Sequence, residues 1–210
     1  MKNNIGHLEF SNSLRDFQDQ LYLQLKTTQK QVVLLLPPES QSSSDTLTVD
    51  LARSFAAQKV SVVLLSMSVH ADEILSGIFP LDKERTLLQA DSLAALPEVL
   101  QPVDADLSLV LGGQLSGKLV PAIANGSMSA VIDKLKEQFD VVLISGEPLL
   151  STPDMLLAAS LADTVGLMIS YRTTKKSDLD RALVRLRRNQ IDDLFAVYVD
   201  VPSERTHYDF

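Results

Sequence analysis

Four short stretches of the chain hold the residue types and spacings that chemistry would need. Gly112-Gly113-Gln114-Leu115-Ser116-Gly117-Lys118 matches G-x-x-x-x-G-K, in which glycine amides cradle a phosphate and lysine neutralises it. The match ends at Leu119, where a magnesium-binding Ser or Thr belongs, and Pro121 is expected to interrupt any helix starting there. Loop geometry is therefore the first reading of this segment, and a phosphate loop at Gly112, Gly117 and Lys118 is the alternative. Ser40–Ser44 is rich in hydroxyls, yet the chain has no G-x-S-x-G turn and no cysteine, so these serines read as loop polarity. His70 has Asp72 and Glu73 beside it, but zinc needs three or four protein ligands, and a solvated turn is the better reading. Finally, Arg172, Lys175, Lys176, Arg181, Arg185, Arg187 and Arg188 form a basic segment. It reads as a solvated helix face, with an acidic partner or an anionic membrane surface as the functional counterpart.

The elements that must position these residues follow from hydrophobic period. Phe10, Leu14, Phe17, Leu21 and Leu25 recur at steps of three and four, one stripe of an amphipathic N-terminal helix. Gln31–Leu36 is a continuous apolar run stopped by Pro37 and Pro38, as in a strand buried on both faces. A helix over Thr46–Gln58 follows, with Ser44 or Asp45 as its N-cap. Further strands are expected at Val60–Leu65, Leu107–Leu111, Val141–Ile144, Thr164–Ile169 and Leu194–Val199, and helices at Ser127–Gln138, Asp154–Leu161 and Ser177–Arg188. A short helix ending near Pro102 is the reading for part of Ala90–Asp106. Apolar strands alternating with helices predict an α/β fold, a parallel sheet covered on both faces, in one domain spanning residues 1–210. In such sheets ligands bind outside the carboxyl ends of the strands.

Composition narrows the function classes. The 210 residues carry a net charge of −8, which argues against broad nucleic-acid binding. With no cysteine there is no thiolate nucleophile and no disulfide, which suits a reducing compartment. No apolar run approaches the roughly 18 residues that span a bilayer, and the start MKNNIGHLEF lacks a signal core, so a cytoplasmic protein is expected. Glycine is scarce: eight residues where about 14 would be average, with none between Gly6 and Gly77.

The order of elements resembles the cytoplasmic kinase domain of bacterial tyrosine kinases of capsular and exopolysaccharide synthesis, members of the deviant P-loop ATPases. The resemblance runs from about Leu14 to Val201 and lies in the framework. In that family the first strand leads into G-E-G-K-S-T and then a helix containing N-L-A. Counting back from Asp50-Leu51-Ala52, this chain offers Gln41-Ser42-Ser43-Ser44-Asp45-Thr46. The glycines are thus Gln41 and Ser43, the lysine is Ser44, the magnesium-binding serine is Asp45, and Thr46 alone remains. The family's second strand ends in L-I-D-A-D-x-R, matched here by Leu64-Leu65-Ser66-Met67-Ser68-Val69-His70, with both acids turned to serine. Its later Y-D-x-V-I-I-D-T-P-P corresponds to Phe139–Pro148, with Ser145 in place of the metal-site aspartate. The asparagine expected after the last strand falls at Val199 or Asp200, and the tyrosine-rich tail is reduced to Tyr208. The Glu and two Arg used for ring assembly correspond to Asp16, Asp19 and Tyr22.

The resemblance implies a P-loop NTPase-like fold whose nucleotide site has been dismantled at three separate turns. The expectation is a catalytically inactive, kinase-like adaptor with no cofactor, no catalytic residues and no metal site. Its implied partner is a membrane polysaccharide co-polymerase or another exopolysaccharide-assembly protein. Recruitment to the inner membrane would then pass through that partner, and a homo-oligomer is compatible with the class. Two alternatives stand beside it: an active ATPase or tyrosine kinase using ATP and magnesium with phosphate contacts moved to Lys118, and a degenerate ATPase of the kind that positions division or pilus machinery.

Overall fold

A computed structural model of the chain describes residues 14–39, 44–87, 96–113, 119–171, 173–199 and 201. Seven strands form one sheet in the order β3-β4-β2-β5-β1-β6-β7. They are β1 (Val32–Leu36), β2 (Val62–Ser66), β3 (Gln101–Asp104), β4 (Leu107–Val110), β5 (Val141–Ser145), β6 (Thr164–Ser170) and β7 (Leu194–Val199). All neighbours pair in parallel except the edge strand β3, which runs antiparallel to β4.

Strands β1, β2, β5 and β6 are buried along their whole length, which is why they read as unbroken apolar runs. Side chains alternate between the two faces of the sheet. Val33, Leu35, Val62, Leu64, Val141 and Leu143 pack with Phe17, Leu21 and Leu25 of α1 (Leu14–Thr28) and Leu51 and Phe55 of α2 (Ser44–Ala57). Leu75 of α3 (Val69–Ile78) joins them. The opposite face, with Leu34, Leu36, Val142, Ile144 and Leu167, is covered by a second layer of helices. Those helices are α5 (Leu119–Ala124), α6 (Ser127–Gln138), α7 (Met155–Ala159) and α8 (Lys176–Arg188), and α4 (Leu96–Val99) adds Leu96 and Val99 to this layer. Phe195 leans over Gly166 on the neighbouring strand so closely that a Cβ there would lie 2.6 Å from its ring.

Acidic side chains fasten the amino ends of the strands. Asp163 Oδ2 accepts from the Gln31 and Val32 amides at 2.9 Å each, tying the entry of β1 to that of β6. Asp140 accepts from the Ser61 amide at 3.2 Å and pairs with Lys26 at 3.2 Å, and Lys30 pairs with Asp193.

Several expectations need correction. Helical geometry begins at Ser44, so neither Ser44 nor Asp45 holds the N-cap of α2, and the cap position falls outside the described residues. The short helix expected within Ala90–Asp106 is present as α4 and ends at Val99, three residues before Pro102. Pro102 itself sits in β3, where an edge strand leaves one side of the ladder unpaired and tolerates the missing amide. Pro121 does not prevent a helix, since it occupies the first turn of α5, where its absent N–H is not needed. Helix α3, absent from the periodicity reading, follows β2 directly.

Candidate functional site

The loops after β1 and β5 leave toward opposite faces of the sheet, to α2 and α7. That places the topological switch point at the carboxyl ends of these adjacent strands. The two exits are zipped together: the Leu149 amide donates to the Pro37 carbonyl and the Leu150 amide to the Pro38 carbonyl, both at 3.0 Å. Arg185 of α8 donates from Nη1 to the carbonyl oxygens of Leu149 (2.8 Å) and Leu150 (3.3 Å), pinning this loop from the other side.

Ser66 and Ser145 are direct register partners at the ends of β2 and β5. By alternation from Leu64 and Leu143, both face the α2–α3 side, and both are buried. Ser66 Oγ donates to the Ser68 carbonyl at 2.9 Å and accepts from the Ser68 amide at 3.3 Å. Ser68 is the N-cap of α3, its hydroxyl accepting from the Ala71 amide at 3.3 Å. Ser145 Oγ, on a residue only 2% exposed, has no hydrogen-bond partner among the described residues, and the hydroxyl of Thr48 in α2 is likewise buried and without a partner among them. Thr46 is exposed on the first turn of α2, whereas Gln41, Ser43, Gly117 and Lys118 lie outside the described residues, as do the side chains of Ser44 and Asp45.

A residue that the sequence reading set beside His70 has a different place. Asp72, in the first turn of α3, accepts from the Gly112 amide at 3.3 Å and the Gly113 amide at 2.8 Å. Gly113 has φ of 73°, the left-handed region that glycine occupies without strain. The two glycine amides thus already converge on an anion supplied by the protein. Burial pushes the Asp72 carboxyl above its ordinary range, opposed by the hydrogen bonds from Ser66, Gly113 and Gly112. Beside it opens a cleft of about 330 Å³ lined by Asp72, Glu73, Lys83, Thr86 and Gly113. His70 points to solvent with Glu73 at 4.0 Å. Among the described residues no three His, Asp or Glu side chains come together as a metal ion would need. Asp72 could be noticed in the sequence as a first-turn acid, but its glycine partners lie 40 residues away and only the fold joins them.

Magnesium seeks hard, charged oxygen ligands. The donor set at the ends of β2 and β5 is two buried hydroxyls, one of them engaged with the backbone. The residues implied by ring assembly are also engaged within the chain. Asp19 accepts from Gln58 Nε2 at 2.9 Å, and Tyr22 packs edge-on against Phe55 at 6.0 Å between ring centroids.

No protein-family model and no curated protein matches the sequence. Solved structures do. The BceF tyrosine kinase domain superposes with a TM-score of 0.75 at 23% identity, covering 90% of this chain and 77% of its own. The chain has the fold of bacterial tyrosine kinase domains. The kinase domain of Escherichia coli tyrosine kinase ETK (TM-score 0.74, 13% identity, 94% and 78% of the two chains) shares this kinase-domain fold. So does the VpsO kinase domain (0.71, 18%, 89% and 95%). The P-loop ATPase class is represented by the MinD cell division protein of Aquifex aeolicus, at a TM-score of 0.64 and 15% identity over 83% and 71%. No helix among the described residues is long and apolar enough to cross a membrane.

Proposed function

We propose that the chain is a binding module on the kinase-domain fold, a non-catalytic adaptor in exopolysaccharide or capsule assembly and export. It would act by engaging a membrane-embedded polysaccharide co-polymerase or another assembly protein from the cytoplasmic side. The observation that carries this reading is the pair Ser66 and Ser145, side by side at adjacent strand ends where the resemblance implies acids, with the Ser145 hydroxyl unpaired. A site built to hold Mg-nucleotide would present negative ligands there. A domain without a nucleotide cycle has no ligand to shift it between two states and would hold one conformation, which suits a constitutive adaptor.

One feature favours the enzyme alternative: the converging Gly112 and Gly113 amides form an anion cradle next to the segment that contains Lys118. Asp72 already fills that cradle, and a phosphate would have to displace a carboxylate from it. Thermal unfolding with and without Mg-ATP separates the two readings. A ligand at 100 times its Kd adds about 2.7 kcal/mol of stability, and the adaptor reading expects no shift. A clear shift, or phosphotyrosine formation abolished by Lys118→Ala, would overturn it. Pull-down from the native host, with a co-polymerase as the expected prey, tests the partner.

A further inference from the structure

Helix α8 carries a charge that the rest of the molecule does not share. From Lys175 to Arg188 there are six cations against two acids, a net +4, so the remaining residues of this −8 chain carry −12. The apolar stripe of the helix is used inward: Ala182 and Leu186 are fully buried, with Leu179 and Leu183 packed beside them. What faces outward is the ridge Ser177, Arg181, Val184 and Arg188, at steps of three and four, flanked by Lys176 and Arg187. Arg181 leans on Asp178 at 3.4 Å, but Lys175, Lys176, Arg187 and Arg188 have no ion-pair partner among the described residues.

The fold explains only part of this. Arg187 and Arg188 suit the negative end of the helix dipole. Lys175 and Lys176 sit at the positive end, and Lys175 holds the N-cap position without any side-chain cap bond, where Ser, Thr, Asp or Asn would stabilise the helix. Cations there gain nothing from the helix itself. The surface is also rigidly presented, because Arg185 anchors α8 to the Leu149 and Leu150 carbonyls.

We propose that the outer ridge of α8 is a docking surface for an acidic protein segment, one narrow strand or helix rich in Asp and Glu. This rests on the binding-module reading and supplies its contact face. Charge complementarity fixes the sign of the partner, and geometry favours a protein segment over a bilayer. The ridge is about 20 Å long and one helix wide. A flat anionic membrane would also meet exposed acids beside it, Asp180 on the same helix and Asp192 and Asp193 just beyond its carboxyl end. Val184, 50% exposed, is the one large apolar side chain on the ridge, so no insertion face accompanies the charge. A slender acidic segment confined to the helix meets the cations and, of those acids, Asp180 alone.

The test uses the full chain and a fluorescent glutamate-rich peptide of about 14 residues, matched to the helix length, with anisotropy read at low and high salt. Binding is expected at low salt and should weaken as salt is raised. Arg181→Glu with Arg187→Glu and Arg188→Glu should weaken it by about tenfold or more. The corresponding Gln variants should weaken it less, and Lys59→Glu with Lys134→Glu, exposed elsewhere, should leave it unchanged. Because the chain is acidic overall, bulk charge predicts no binding, so absence of binding overturns the proposal. Equal binding by the triple Glu variant also overturns it. So does stronger retention on phosphatidylglycerol vesicles than on the peptide, or self-association that the triple variant abolishes. No nucleotide enters this assay, so its failure leaves the Mg-ATP result standing and the two readings fail separately.

Discussion

The two ends of the same sheet treat charge in opposite ways. At the amino ends, Asp163, Asp140 and Asp193 are all engaged, two of them accepting backbone amides of neighbouring strands. At the carboxyl ends, where an open parallel sheet binds its ligands, the corresponding depth holds Ser66 and Ser145, and one hydroxyl has no partner among the described residues. The acids near that end are turned elsewhere, Asp72 to the Gly112–Gly113 corner, Glu147 to the Thr152 hydroxyl and Glu39 to the Ser151 hydroxyl. Acids that hold the fold together are in place at one end, whereas the adjacent ends of β2 and β5 carry neutral hydroxyls. Fold and chemistry are separable in this architecture, because strand pairing and core packing do not use the carboxyl-end side chains.

The largest expected effect that bears on this contrast is Ser145→Asp. An uncompensated carboxylate at a position 2% exposed should cost about 3–5 kcal/mol in urea unfolding at neutral pH, with part of the loss recovered in acid as the group protonates. Rescue by millimolar magnesium would break the contrast, since it would show a metal site lacking only its acid. At the other end, Asp163→Ala leaves the Gln31 and Val32 amides without their acceptor and should cost about 2 kcal/mol by the same measurement. Ser145→Ala should do the reverse, adding up to about 1 kcal/mol by removing a buried hydroxyl that makes no bond. A loss there would mean that Ser145 has a partner yet to be found.

The smallest effect concerns pH. Burial raises the Asp72 carboxyl, so the folded chain binds that proton more tightly than the unfolded one. The contribution of Asp72 to stability is therefore greatest below its unfolded value and falls as pH rises through the raised folded value. Relative to Asp72→Asn, the wild type should gain stability as the pH is lowered from neutral into the carboxylate range, read as a difference in unfolding midpoint. A difference that stays flat with pH would remove the buried anion from the account of the Gly112–Gly113 corner.

Much of the architecture is legible in the sequence. The doubly buried strands announce themselves as apolar runs at Val32–Leu36, Val62–Ser66 and Val141–Ser145, and β7 spans the expected Leu194–Val199. Helix α6 also spans the expected Ser127–Gln138. What escaped notice has physical causes. Helix α3 begins directly after the Ser68 cap with no loop signal to announce it. Strand β3 is short, half exposed and contains a proline, so it shows neither an apolar run nor a clean alternation. Of the candidate site, Ser66, Ser68 and Ser145 could be picked out by position, and the structure places Ser66 and Ser145 together. Gln41, Ser43, Gly117 and Lys118 lie outside the described residues. The role of Asp72 could not be read, because it depends on glycine amides distant in the chain.

The sequence by itself determined which residues are apolar, in what period, and therefore that a parallel sheet would be sandwiched between helices. It also determined the sign of the charge on each segment, including the basic run from Lys175 to Arg188. Only the tertiary structure decided that Ser66 and Ser145 are register partners, that Asp72 closes on two glycine amides, and that Arg181 and Arg188 of α8 stand outward while Arg185 turns in to the Leu149 and Leu150 carbonyls. Periodicity is a local property that burial imposes on each segment. Partnership between side chains is set by strand order and crossover direction, which no single segment encodes.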